Sequence, residues 1–195
     1  MNKKIISVFV AAAALTAALS GCSLTGEKDA SNNTSAPAPV INVLSEYAPL
    51  GGFMQYQSPD GGFSIQLTEG SVVNDADPND VTMTIASAYT NADMLNISKS
   101  TGVSKVENAD QLYTMLKDDS SIDITGFFVL NIDGAYKGYK YTYTSVENAQ
   151  LKGIVSTYFN ADGSAYVVNA TINNGNDERN VETINTIVDT FVSYL

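Results

Sequence analysis

The chain has 195 residues with 10 basic and 21 acidic side chains, a formal charge of -11, no histidine and one cysteine. So acidic a surface repels phosphate backbones and anionic headgroups, which argues against nucleic-acid binding and polybasic membrane docking. Without histidine the commonest general base and metal ligand is missing, and a lone cysteine forms no internal disulfide, so packing must hold the fold.

The first predicted element is a leader. Met1-Asn2-Lys3-Lys4 is a short cationic start, and Ile5 to Leu19 is an uncharged, mainly apolar run. That pattern marks an export signal, and it is shorter than the roughly 20 apolar residues a spanning helix needs. It ends on Leu19-Ser20-Gly21-Cys22, which resembles the lipobox of bacterial lipoproteins at each of the four positions. The resemblance implies a diacylglyceryl group on the Cys22 thiol, cleavage between Gly21 and Cys22, and further acylation, as with palmitate, of the new amino terminus. Lipidation also accounts for an unpaired cysteine in an exported chain. Each buried methylene contributes ~0.8 kcal/mol, so two or three acyl chains anchor where one would not. The expected location is the extracytoplasmic face of a bacterial cell membrane, and the leader with its Asn-rich sequel suggests a Gram-positive host. Loss of Lys3 and Lys4 with the leader shifts the formal charge from -11 to -13.

The expected division is a signal peptide over 1–21, a lipidated flexible tether over 22–46 and one domain over 47–195. The tether, rich in Ser, Asn, Ala and Pro, lacks periodic apolar positions. Val40 to Leu50 has some apolar residues but no clear period. From Phe53 the pattern becomes regular: Phe53–Gln57 and Phe63–Leu67 alternate on either side of Ser58-Pro59-Asp60-Gly61-Gly62, a strand, turn and strand. Val81–Ile85 and Met94–Ile97 predict a second hairpin, preceded by the acidic loop Asn74–Asp80. Asn108 and Gln111 form a capping box for a helix whose apolar face is Ala109, Leu112, Tyr113 and Leu116. Four strands then run up and down over 124–132, 136–146, 151–159 and 165–172, two of their turns being Asp133-Gly134 and Asp162-Gly163. Val181, Ile184, Ile187, Val188, Phe191, Val192 and Leu195 predict a closing amphipathic helix, with Asp177 and Glu178 at its positive end. The sum is an α+β fold: an antiparallel meander of about eight strands with two helices packed on its apolar face.

The run Tyr56-Gln57-Ser58-Pro59-Asp60-Gly61-Gly62-Phe63-Ser64-Ile65-Gln66-Leu67-Thr68-Glu69-Gly70 resembles the opening of the PsbP-like fold, an α/β/α sandwich. Thr68 and Ser71 stand where that family usually has proline and tryptophan. The element order from Phe53 to Leu195 is similar throughout. The resemblance implies a non-enzymatic binding or assembly module, by analogy of fold.

Three sets of residues are candidates for function. The loop Asn74-Asp75-Ala76-Asp77-Pro78-Asn79-Asp80 alternates oxygen ligands as calcium loops do, but an EF-hand needs glycine and glutamate where Asp80 and Ala86 stand, and the same residues are turn formers. Tyr139, Tyr141 and Tyr143 share one face of a strand, either to stack on sugar rings or, as strand aromatics usually do, to build the core beneath a helix. If they are core, Lys140, Thr142 and Thr144 take the other face. Glu46, Glu69, Glu107 and Glu147 are scattered, and a hydrolase would need a carboxylate pair assembled in space. Gly51-Gly52 and Gly61-Gly62 open no helix, so no phosphate loop is expected.

The expected function is a non-catalytic, lipid-anchored binding or assembly module for a protein or envelope component, without metal or other cofactor. A calcium- or glycan-binding surface module is the alternative.

Overall fold

A computed structural model describes residues 40–42, 52–86, 93–101, 109–132 and 135–194. In chain order its elements are β1 (Val40–Asn42), β2 (Phe53–Gln57), β3 (Phe63–Thr68), β4 (Val72–Asn74), β5 (Asp80–Ile85), β6 (Asp93–Ser100), α1 (Ala109–Lys117), β7 (Ile122–Ile132), β8 (Ala135–Ser145), β9 (Lys152–Phe159), β10 (Ala165–Ile172), α2 (Glu178–Asp189) and β11 (Val192–Ser193). The chain therefore adopts the expected α+β architecture of antiparallel strands with two helices among the described residues. None of those helices is long and apolar enough to cross a membrane.

Three details differ from the sequence reading. The strands form two sheets, not one: an eight-stranded sheet in the order β1-β7-β8-β9-β10-β6-β5-β4, and a three-stranded sheet β11-β3-β2. The first hairpin thus leaves the main sheet and lies over it, because β3 is buried along nearly its whole length and needs cover on both sides. Val40–Asn42, in the stretch expected to be tether, pairs parallel with Val129–Asn131 of β7. The closing helix is shorter than its apolar period. Thr190 caps it by donating to the Ile187 carbonyl (2.7 Å) and accepting the Gln66 N–H (2.8 Å), and Val192–Ser193 then pairs with β3. The helices lie on opposite faces, as the α/β/α sandwich implied by the resemblance requires.

Each face has its own core. α2, with Ile184, Ile187 and Val188, joins β3 over a cluster that includes Met83, Leu95, Ile97 and Val168. α1 brings Leu112 and Leu116 onto the tyrosine row of β8 and onto Phe127, Val155 and Val167. Full burial of one such side chain stabilises by roughly 1.5–3 kcal/mol, so alternation along β8 to β10 fills two layers at once. α2 begins where predicted, with Asp177 as N-cap accepting the Arg179 N–H. The expected cap of α1, Asn108, lies outside the described residues.

Candidate functional site

Cys22 lies outside the described residues. The tyrosine row does not, and it is core: Tyr139, Tyr141 and Tyr143 are 4%, 5% and 3% exposed under α1. Their rings follow one another at 6.5 and 6.2 Å. Burial pushes the Tyr143 phenol up to about 12 and raises Tyr141 further. No ring face of this row is left for a sugar. On the opposite side of β8, Lys140 is also buried, and its Nζ meets the Asp189 carboxylate of α2 at 2.5 Å. Asn185 donates to the other Asp189 oxygen at 3.1 Å. The pair ties the end of α2 to the sheet.

In the acidic loop the carboxylates diverge. Asp75 accepts the Tyr56 hydroxyl at 2.9 Å, Asp77 accepts the Asn79 N–H at 2.9 Å, and Asp80 accepts the Asn96 amide at 2.5 Å. Calcium needs six or more converging oxygens, and among the described residues no three of His, Cys, Asp and Glu are grouped to hold a metal ion. Asp93 is fully buried, accepts the Asn173 N–H and the Asn180 amide at 2.8 and 2.7 Å, and has its carboxyl raised by desolvation. It clasps the start of α2 to β6.

A different group of residues comes together where several turns meet. β5 and β10 run antiparallel to β6, so the acidic loop, the end of β6 and the β9–β10 turn share one end of the main sheet. The β2–β3 turn joins them from the small sheet, because Tyr194 donates its N–H to the Gly62 carbonyl at 2.9 Å and Ser193 reaches Asn160 at 2.7 Å. In the β2–β3 turn, Asp60 Oδ1 accepts the Ser58 hydroxyl (2.7 Å) and the Gly62 N–H (3.0 Å). In the β9–β10 turn, Asp162 Oδ1 accepts the Ser164 hydroxyl (2.6 Å) and N–H (2.8 Å). Those bonds hold both carboxyls below their usual range, and nearby Lys99 lowers both further. These four turn bonds all fall on Oδ1 and leave the Oδ2 atoms of Asp60 and Asp162 out of them.

Lys99 and Tyr166 are cross-strand partners beneath these turns. The ammonium lies 5.6 Å from the ring centroid, and the ring packs edge-on against Phe63 and Phe191 at 5.4 and 5.6 Å. The Tyr166 side chain is 1% exposed, yet its hydroxyl has no hydrogen-bond partner among the described residues. It faces Gly62, where a Cβ would meet it at 2.3 Å and Asp60 at 3.2 Å. Burial, with Asp60 and Asp162 nearby, pushes this phenol up to about 12.

Chemically, this end offers two fixed, ionised carboxylates on rigid turns. A carboxyl held low is poorly suited to act as general acid, the role glycoside hydrolysis gives to a raised one. The arrangement suits recognition of positive charge. The sequence reading saw Asp60-Gly61 and Asp162-Gly163 as turn signals alone, and the signal that could have gone further was the repetition of Asp-Gly next to serine.

No protein-family model matches the chain, and no curated protein matches it in sequence. Its fold is PsbP-like, with antiparallel strands between two helices. It is similar to the solution structure of cyanobacterial PsbP (CyanoP) from Synechocystis sp. PCC 6803, at 15% identity and a TM-score of 0.52 over 75% of this chain and 95% of that one. It is also similar to a mutant of the protein Mog1, at 8% identity and a TM-score of 0.54 over 72% and 95% of the two chains. At these identities the likeness is one of fold.

Proposed function

We propose that this protein is a lipid-anchored, extracytoplasmic binding or assembly module without catalytic activity, held to the membrane through Cys22 and acting on a protein or envelope component. The anchor rests on Leu19-Ser20-Gly21-Cys22. The binding reading rests above all on the turn end, where Asp60 and Asp162 stand fixed by their own turns near the Tyr166 hydroxyl, which has no partner among the described residues. Fixed polar groups lose little conformational entropy on binding, which favours recognition by pre-organised contacts. The PsbP-like fold is compatible with such a role and does not by itself assign it.

The test is affinity capture. The full-length protein is cross-linked in its own envelope and extracted, and its neighbours are identified by mass spectrometry, with Cys22→Ala as the control. The expected result is a reproducible neighbour in the membrane fraction, and release of Cys22→Ala to the soluble fraction or retention of its uncut precursor. Unchanged membrane retention of Cys22→Ala would refute the anchor. Turnover of a substrate by the purified protein would refute the non-catalytic reading.

A further inference from the structure

Turns from both sheets place a set of carboxylates on one end of the domain, and the partners of these groups are unevenly used. Asp60, Asp75, Asp77, Asp80 and Asp162 all belong to turns or strand starts at that end. Asp60 and Asp162 each commit Oδ1 to their own turn, and Oδ2 takes no part in those bonds. Lys99 is their cationic neighbour, but it lies against the Tyr166 ring and forms no ion pair within 4 Å among the described residues.

Tyr166 supplies the second, independent observation. A buried hydroxyl left without a partner costs about 1–3 kcal/mol, so native structures rarely leave one unless something completes it. This hydroxyl points at the bare Cα of Gly62, on the Asp60 side of the turn. Asp60 and Asp162 both raise its pKa, so the hydroxyl lies within the field of the two carboxylates.

We propose that this end is the recognition face for a basic segment of a protein partner, with Asp60 and Asp162 receiving one arginine or lysine side chain. Asp75, Asp77 and Asp80 contribute a wider negative field that steers the approach. Lys99, held over the Tyr166 ring and lowering both carboxyls, is the internal cation that competes with the incoming side chain for their charge. The inference rests on the binding-module reading and adds the partner's charge and the residues that meet it.

The experiment titrates an eight-residue arginine peptide into the full-length protein in non-ionic detergent, at about 0.15 M salt so that long-range attraction is screened. Three variants are compared with the parent. Asp60→Asn with Asp162→Asn removes the anchor charges but keeps the Oδ1 acceptors that build the turns. Asp118→Asn with Asp123→Asn removes the same charge from exposed positions at the opposite end. Lys99→Met removes the competing cation. Circular dichroism melts confirm that all are folded.

We expect the first pair to weaken binding about tenfold or more and the control pair less than about threefold, the difference between short-range and screened charges. Lys99→Met should tighten binding. Equal losses in both pairs, no binding by the parent, or weaker binding by Lys99→Met would overturn the proposal. A site that binds calcium ion alone and ignores the peptide would overturn it as well. An envelope neighbour still captured by Asp60→Asn with Asp162→Asn would leave the module reading standing and remove this face from it.

Discussion

Replacing Gly153 with alanine tests whether the tyrosine row is packed as described. Gly153 of β9 lies opposite Tyr143 of β8, and a Cβ built there would fall 2.1 Å from Cζ, 2.2 Å from Cε1 and 2.5 Å from the hydroxyl oxygen. Ordinary carbon contacts are about 3.5–4.0 Å, so the ring would have to move by more than an ångström. It has little room, being 3% exposed and packed against Tyr141. Overpacking of this kind costs about 1–3 kcal/mol. Against it stands the gain from stiffening the unfolded chain, about 0.4–1 kcal/mol. The net expectation is a loss of about 1–2 kcal/mol, or about 2–8 °C in Tm for a domain of this size. Urea denaturation followed by circular dichroism measures it. In a Tyr143→Leu background the ring is absent, and the same Gly153→Ala change should be neutral or stabilising. A coupling of about 1–3 kcal/mol between the two sites is therefore predicted. Additive effects, or a more stable single variant, would show that the ring does not lie over this glycine.

Four further outcomes follow from the same geometry. Gly62→Ala places a methyl 2.3 Å from the Tyr166 hydroxyl, so it should lower Tm, and Tyr166→Phe should recover part of the loss. Asp189→Ala leaves the Lys140 ammonium buried without its carboxylate, and since Asp189 is partly exposed the cost should be about 1–3 kcal/mol, less than for a fully buried pair. Replacing both, as Lys140→Met with Asp189→Leu, should recover most of that cost in urea melts. The Asp93 carboxyl is raised in the folded state; its favourable contribution is complete below the unfolded value near 4 and is lost as pH rises through the folded one. The stability difference between the parent and Asp93→Asn should accordingly shift in favour of the variant as pH rises above about 4, and a pH-independent difference would refute the assignment. The Tyr143 and Tyr166 phenols, pushed up to about 12, stabilise the fold below the unfolded value near 10 and lose that contribution as pH rises through 12. Absorbance titration should show part of the tyrosine signal appearing only together with alkaline unfolding.

The elements with strong periodicity were legible. Alternation in β8 to β10 named the strands, Asp162-Gly163 named a hairpin whose glycine has φ of 82°, and the shared face of Tyr139, Tyr141 and Tyr143 was legible, while the choice between core and sugar-stacking row was decided only by their burial under α1. What failed did so for one physical reason, that tertiary pairing overrides local pattern. Val192 and Leu195 continue the 3.6-residue period of α2, yet Thr190 ends the helix because its hydroxyl serves both Ile187 and Gln66. The Gln66 backbone lies far away in sequence, so the periodicity carried no trace of it. The three-residue strands β1 and β4 and the two-residue β11 are equally silent, being too short to show alternation.

The candidate site was less legible than the fold because its members are single residues in unrelated turns. Asp60 and Asp162 each look complete in sequence, an Asp-Gly turn beside serines, and Lys99 looks like one polar residue at the end of a strand. Only the register of β6 against β10 sets Lys99 opposite Tyr166, and only the return of the chain end over β3 brings the Asp60 turn above them. The glycine that makes the approach possible, Gly62, reads as a turn former although its Cα is needed bare by a tyrosine ring from another sheet. The same logic separates stability from recognition in this domain. Its acids that are buried or tied to other elements, Asp93 and Asp189, lock α2 in place. Those bonded within their own turns, Asp60 and Asp162, use only Oδ1 there, and Oδ2 is the atom the proposed partner would meet. Replacing the first kind should change melting, and replacing the second kind by asparagine should change binding while melting stays nearly constant.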